Sequence, residues 1–360
     1  MRTQGLGAFA ILPDDVLLDV LARLPTAVLC KLATCSAWLR AFVYHDEIWR
    51  ARVPSLAGRA SVRYRGTWRQ TVHHLICHHF ATQDSTDALP DLTPTPTQAR
   101  VYSDALFDAW ISVSMEFQPS WLARNTVRVL PPSADLDTLL AEQDAQQCPA
   151  VARGYCHRWT AMDKWTNTAL RAAFGSALLD AGDMAMSFDD YLAYAAAQYD
   201  ERPSYVFDKR FVDKAPALAL DFACPSFAAQ ENDFFNALGG RRPAYRWIIA
   251  GPIRSGSSWH IDPNATSAWN ALLRGRKRWI FCPPDVTPPG VFPSPDGAAV
   301  ATPLSILEWY KNYYPTLQEA GIPYYEITQE PGDLVYVPSG WWHTVLNLED
   351  TLALTQNFVT

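Results

Sequence analysis

From Tyr245 to its end the chain is broken by glycine and proline into short strand-like runs. "YRWIIAG", "TSAWNALL", "KRWIFCP", "GDLVYVPSG", "HTVLNL" and "LALTQNF" follow one another in this way. Many short strands between Gly/Pro turns leave few folds open, chiefly a barrel or a sandwich. Strand alternation then decides which side chains share its interior.

One stretch, "SSWHIDPNATSAWNALLRGRKRW" from Ser257 to Trp279, carries polar residues that an apolar interior would not choose. His260 and Asp262 stand on alternate residues, so they point the same way and can share one ion. A third ligand must come from elsewhere. After His157, the only histidine besides His260 is His343, in "PGDLVYVPSGWWHTVLNL". Two imidazoles and a carboxylate leave one face of an octahedral ion open. That is the ligand set of non-haem Fe(II) oxygenases, whose open positions take a keto acid and dioxygen. Lys277 fits the same picture. If Arg274-Gly275 is a two-residue hairpin turn, Leu272 faces Lys277 and Asn270 faces Trp279. Those four then share the inner face, and Leu273, Arg276 and Arg278 the outer one. A buried ammonium is costly unless an anion pairs with it, and the distal carboxylate of 2-oxoglutarate would be that anion.

The 360 residues leave room for more than one domain. The first 80 read as helical. In "DDVLLDVLARL" the residues Val16, Leu17, Val20, Leu21 and Leu24 keep one apolar face, and Pro25 stops the helix. Thr26 is placed to cap the next helix. Trp38, Leu39 and Phe42 continue a third stripe. Ala81 to Arg100, rich in Thr, Asp and Pro, reads as a linker. His74 and His78 in "HHLICHH" stand four apart, a zinc-compatible spacing without further ligands nearby. A net charge of −7 argues against a generally basic nucleic-acid binder. No apolar run approaches the ~20 residues of a membrane helix. Seven dispersed cysteines suit a reducing compartment, which leads to the expectation of an intracellular protein, nuclear and/or cytoplasmic, with no membrane partner.

In the quoted motifs, together with "YVFD", the chain resembles the Jumonji C (JmjC) family of Fe(II)/2-oxoglutarate oxygenases. It resembles most the phosphatidylserine-receptor-like branch and the plant-type proteins that join an F-box to such a domain. The resemblance implies an α+β chain: a helical F-box-like module over 8–80, a linker over 81–100, and an oxygenase domain over 101–360. That domain would begin with helices, and its double-stranded β-helix (cupin or jelly-roll) core would span about 148–360. His260, Asp262 and His343 would hold iron, with dioxygen and 2-oxoglutarate as cosubstrates. Lys277, Asn270, Tyr205 and Thr355 resemble the family's 2-oxoglutarate contacts. Ser257 stands where this branch usually has threonine, and Asn357 matches a further polar position of the site. If His343 and Thr355 both face inward on paired strands, the turn between them must hold an odd number of residues, which Leu348 to Asp350 would satisfy.

The implied activity is hydroxylation of a lysyl side chain or demethylation of N-methyl arginine or lysine, on a histone or another basic protein. An acidic chain is compatible with such a substrate. The segments "LPDDVLLDVLARLP" and "LATCSAWLRAFVYHDEIW" resemble an F-box, which would dock on the Skp-type adaptor of a cullin (SCF) ubiquitin ligase. They depart from the pattern at Ser36 and Ala37, where a basic residue often precedes the tryptophan. The rival expectation is a ligase substrate receptor whose cupin domain recognises its target without oxidising it.

Overall fold

The computed structural model describes residues 2–58, 60–81, 101–131, 135–229, 231–295, 299–302 and 305–360, without the side chains of 78–81. The stretch read as a linker lies outside the described residues from 82 onward. The chain forms two compact units, Met1–Met115 with Asp183–Glu201, and Glu116–Gly182 with Arg202–Thr360. Among the described residues no helix is long and apolar enough to cross a membrane, and the cysteines are free thiols.

The first unit is helical. Pro13 and Pro25 occupy the cap positions of α1 (Asp14–Arg23) and α2 (Thr26–Cys35). Thr26, expected to cap, is instead the first residue of α2, because the fixed, extended Pro25 already sets the entry to the helix. Leu17 and Leu21 are buried, while Val16 turns partly to solvent, so the buried stripe is narrower than the sequence suggests. α3 (Ala37–Val43) is capped by Ser36, whose Oγ accepts from Leu39 N at 3.0 Å. Asp46, on α4 (Asp46–Arg50), caps the start of α5 (Trp68–Ala81) from outside it. Its two oxygens accept from Trp68 N at 2.7 Å and Arg69 N at 3.0 Å. The helix Phe188–Ala197 belongs to this unit. Just beyond it, buried Asp200 accepts from the Trp68 indole at 2.9 Å and the Tyr194 hydroxyl at 2.5 Å.

The second unit is built on two sheets. Besides a two-stranded ribbon of Phe292–Pro293 and Val300–Ala301, its strands are β1 (Arg128–Leu130), β2 (Ala150–Ala152), β3 (Leu178–Ala181), β4 (Val206–Asp208), β5 (Arg246–Gly251) and β6 (Gly256–His260). β7 (Ser267–Arg274), β8 (Lys277–Cys282), β9 (Tyr325–Gln329), β10 (Leu334–Val337), β11 (Trp342–Asn347) and β12 (Thr351–Phe358) follow. The larger sheet runs β1-β2-β10-β7-β12-β5-β4-β3 within this unit, and the four-stranded sheet runs β9-β8-β11-β6. Apart from the parallel β1–β2 contact, these neighbouring strands pair antiparallel. Val335, Val337, Ala268 and Val151 of the larger sheet form one apolar cluster with Trp279, Phe281, Ile327 and Val345 of the smaller.

This topology overturns the hairpin reading. β7 and β8 do not pair. β7 lies between β10 and β12, and β8 between β9 and β11. Asn270 therefore faces Thr355 and Val335, and Lys277 faces Asn347 and Gln329. β11 and β12 likewise belong to different sheets, so the parity rule for a turn between them does not apply. The chain crosses from sheet to sheet at both corners, and the corners touch. Leu348 N donates to Arg276 O at 2.9 Å. A Cβ on Gly275, at φ +77°, would stand 2.3 Å from Asp350 O. Only glycine suits that close approach and that left-handed backbone.

Arg278 does point away from Lys277, as alternation requires, but it does not reach solvent. It is fully buried and pairs with equally buried Glu326 at 2.7 Å, and the Tyr314 hydroxyl donates to the same carboxylate at 2.9 Å. One-sided loss of such a pair costs about 3–5 kcal/mol, so it holds β8 and β9 in one register.

Candidate active site

Between the two sheets lies a cavity of about 410 Å³. His260 ends β6, and Asp262 follows in extended backbone before a short 3-10 turn. His343, near the start of β11, is the register partner of His260, so pairing of the two strands brings the imidazoles together. Their ring centroids are 4.1 Å apart. One ligand atom from each of His260, Asp262 and His343 lies within 4.8 Å of the others.

Their protonation suits a cation. His260 Nδ1 is 2.7 Å from Ser258 O, and His343 Nδ1 is 3.0 Å from Trp341 O. A carbonyl only accepts, so each Nδ1 donates and each Nε2 keeps its lone pair. Burial, reinforced by the neighbouring His260, lowers the His343 pKa to about 4, which keeps that ring neutral. Asp262 Oδ2 is buried without a hydrogen bond, 3.9 Å from His343 Nε2. An unsatisfied carboxylate oxygen beside two imidazole lone pairs fits a divalent metal and little else. The loop after Asp262 is held under strain: Asn264 and Ala265 have φ of 58° and 51°. Ser339 Oγ donates to Ala265 O at 2.7 Å, tying this loop to the segment that leads to His343.

Lys277, Asn270, Thr355, Tyr205, Ser257 and Asn357, named above for their resemblance to cosubstrate contacts, line the same cavity. Lys277 is 3% exposed, and burial lowers its pKa to about 7. Asn270 Oδ1 is buried without a partner. The Thr355 hydroxyl donates to Trp269 O at 2.9 Å, and Asn357 Nδ2 to Thr266 Oγ1 at 2.8 Å. Tyr205 is hydrogen-bonded to the Ser257 side chain, and burial raises its pKa.

Three wall residues escaped the sequence reading. Asn347 stands opposite Lys277 with its Oδ1 unsatisfied and its Nδ2 on Ser255 Oγ at 2.8 Å. Alternation from His343 through Val345 was the signal that could have found it. Phe207 and Trp247, from neighbouring strands β4 and β5, stack with centroids 5.2 Å apart and an interplanar angle of 16°. Trp341 and Trp342, although beside His343 in sequence, are buried in packing and do not line the cavity. Of the histidines considered for zinc, His74 Nε2 meets Arg65 Nη2 at 2.9 Å, and the His78 side chain lies outside the described residues.

Residues 247–358 match the family model described as "JmjC domain, hydroxylase". The chain is 38% identical over 362 residues to Arginine-specific demethylase JMJ22 of Arabidopsis thaliana, covering 100% of this chain and 70% of that protein. It is 35% identical to Lysine-specific demethylase JMJ21 of the same plant, covering 99% of this chain and 38% of that protein. Bifunctional arginine demethylase and lysyl-hydroxylase psr-1 of Caenorhabditis elegans is 34% identical over 58% of this chain and 55% of its own length.

Proposed function

This chain belongs to the JmjC hydroxylase family, and from that premise we propose that it is an Fe(II)- and 2-oxoglutarate-dependent oxygenase of basic proteins. The observation that carries the reading is the convergence of His260, Asp262 and His343 beside a buried, unpaired Lys277 in one cavity. His260, Asp262 and His343 would hold the iron on one face. Lys277 would pair with the distal carboxylate of 2-oxoglutarate, with Asn270, Asn347, Tyr205 and Thr355 around it. The two sheets are read as a double-stranded β-helix whose corners are the sheet crossings described above.

With iron and 2-oxoglutarate bound, dioxygen is consumed, the keto acid becomes succinate and carbon dioxide, and oxygen enters a substrate C–H bond. The chain's own residues position and exclude. The Nδ1 hydrogen bonds fix both imidazoles, the apolar walls keep bulk water out, and the Ser339–Ala265 contact holds the Asp262 loop. Hydroxylation on an N-methyl group yields a product that loses formaldehyde, whereas hydroxylation on a side-chain carbon is stable. One site therefore serves demethylation or hydroxylation, according to which carbon of the substrate is presented.

A cationic substrate is favoured by the stacked Phe207–Trp247 wall, since a guanidinium or ammonium over such rings gains about 0.5–2 kcal/mol. Trp247→Ala is expected to raise KM for arginine or lysine peptides by about 2- to 30-fold. Peptide-independent succinate formation should remain. The deciding experiment is mass spectrometry of a peptide library incubated with Fe(II), ascorbate and 2-oxoglutarate. Gain of one oxygen or loss of a methylene from basic peptides is expected, and modification confined to neutral peptides would reject the substrate class.

We further propose that α1–α3 form an F-box-like module that docks on a Skp-type adaptor. Support comes from the three short helices packed through Leu17, Leu21, Leu29 and Phe42, with Val16 and Val28 left partly exposed. Co-purification of the full chain with the adaptor is the expected result. Absence of a complex at micromolar concentration would leave these helices a packing element.

A further inference from the structure

Among the described residues three cations are buried. Arg278 has Glu326, and Lys277 faces the cavity assigned above to a diacid. The third, Arg69 in the helical unit, is 5% exposed. Its guanidinium lies 3.8 Å over the Tyr44 ring. Its side chain makes no hydrogen bond or ion pair with the described residues, and its Nε is fully enclosed without a partner. A desolvated charge left in this way is costly. Arg69 also lines a concavity of about 280 Å³ together with Tyr44, Asp46, Tyr64, Thr67 and Tyr199, all within the first unit.

Asp46 acts on the Arg69 charge through space, but no neighbouring acid meets the guanidinium in a hydrogen bond or ion pair. Both Asp46 oxygens are occupied by the N–H groups that begin α5. Asp200 is held by the Trp68 indole and the Tyr194 hydroxyl. These acids serve the fold, but their charge, with that of Glu47, acts on anything placed nearby. A dianion would be repelled more than a planar monoanion, and a guanidinium matches a carboxylate edge to edge. The three tyrosine rings, including the 78%-exposed Tyr199, form walls for an apolar or aromatic body. We propose that this concavity is a binding site for a monocarboxylate on an aromatic or apolar body, with Arg69 taking the carboxylate.

The test uses the full chain with benzoate, phenylphosphate and benzyl alcohol as probes, followed by thermal melting and calorimetric titration. Benzoate is expected to bind and raise Tm, phenylphosphate to bind more weakly and benzyl alcohol not to bind. Arg69→Met should weaken benzoate by at least about tenfold. Without any probe it should melt no lower than the parent, because the buried charge is gone. Tyr199→Ala, at an exposed position, should weaken benzoate without lowering Tm. No response of the parent to millimolar benzoate, an undiminished response in Arg69→Met, or tighter phenylphosphate than benzoate would each overturn the assignment. So would a large fall in Tm for Arg69→Met, which would make the arginine a structural group.

Discussion

Asp262→Ala is expected to fold as well as the parent and to lose succinate formation by at least about a hundred-fold. Disturbing even an outer partner of a metal ligand costs about 10- to 100-fold, so removing a ligand outright belongs at or beyond the top of that range. The stability side of the expectation comes from the geometry. Asp262 Oδ2 is buried without a hydrogen bond, so the fold gains nothing from it and carries its desolvation. The partners differ in this respect. His343 sits 4% exposed among Trp279, Phe281 and His260, and truncating it would open a hole as well as remove a ligand. Asp262 therefore separates chemistry from packing. Anaerobic thermal melts with and without ferrous ion supply the second readout: the parent should be stabilised by the ion and the variant should not. Turnover within a few-fold of the parent would remove Asp262 from the metal site, and a collapse in Tm would make it structural.

The reach of sequence reasoning here follows from what each inference depended on. His260 and Asp262 were legible because two residues on one extended stretch share a face whatever pairs beside them. The inward direction of Lys277 was legible for the same reason, yet the partner assigned to it was wrong. A two-residue Arg-Gly corner reads locally as a hairpin, while the chain uses it to leave one sheet for the other. What decides between the two lies 75 residues away by number, where Asp350 backs onto Gly275. The site survived that error because facing sheets point their inner residues into one interior, just as a hairpin would. Arg278 shows the opposite limit. Alternation placed it outside the barrel but could not foresee the helices Ile306–Asn312 and Tyr314–Glu319, or Glu326 as its buried partner. Phe207 and Trp247 read as ordinary strand aromatics, and only the alignment of β4 on β5 makes them one wall.

Lys277 should give the protein an affinity for 2-oxoglutarate that weakens as pH rises. Burial lowers the ammonium's pKa to about 7, against about 10.4 for an unperturbed lysine. Between these values the unfolded chain holds the proton and the folded, cosubstrate-free protein does not. Lysine burial therefore lowers stability most below about pH 7, where the charge itself must be buried, and this penalty is relieved as pH climbs through the window. A carboxylate placed against Lys277 restores the charged form. Above about pH 7 binding must then take up a proton, and Kd should weaken by up to about tenfold per pH unit. Lys277→Met removes both effects. Its binding should be weaker by about 10- to 150-fold and level across that range, while the cosubstrate-free variant melts higher than the parent. Anaerobic calorimetric titration of 2-oxoglutarate from about pH 6 to 9, with melts of both proteins, measures all of this. A level profile in the parent would mean that Lys277 is already charged before the diacid arrives. Unchanged binding by Lys277→Met would mean that the diacid is held elsewhere in the cavity, with Asn270 and Asn347, whose buried oxygens also lack partners, remaining as polar groups without a cation between them.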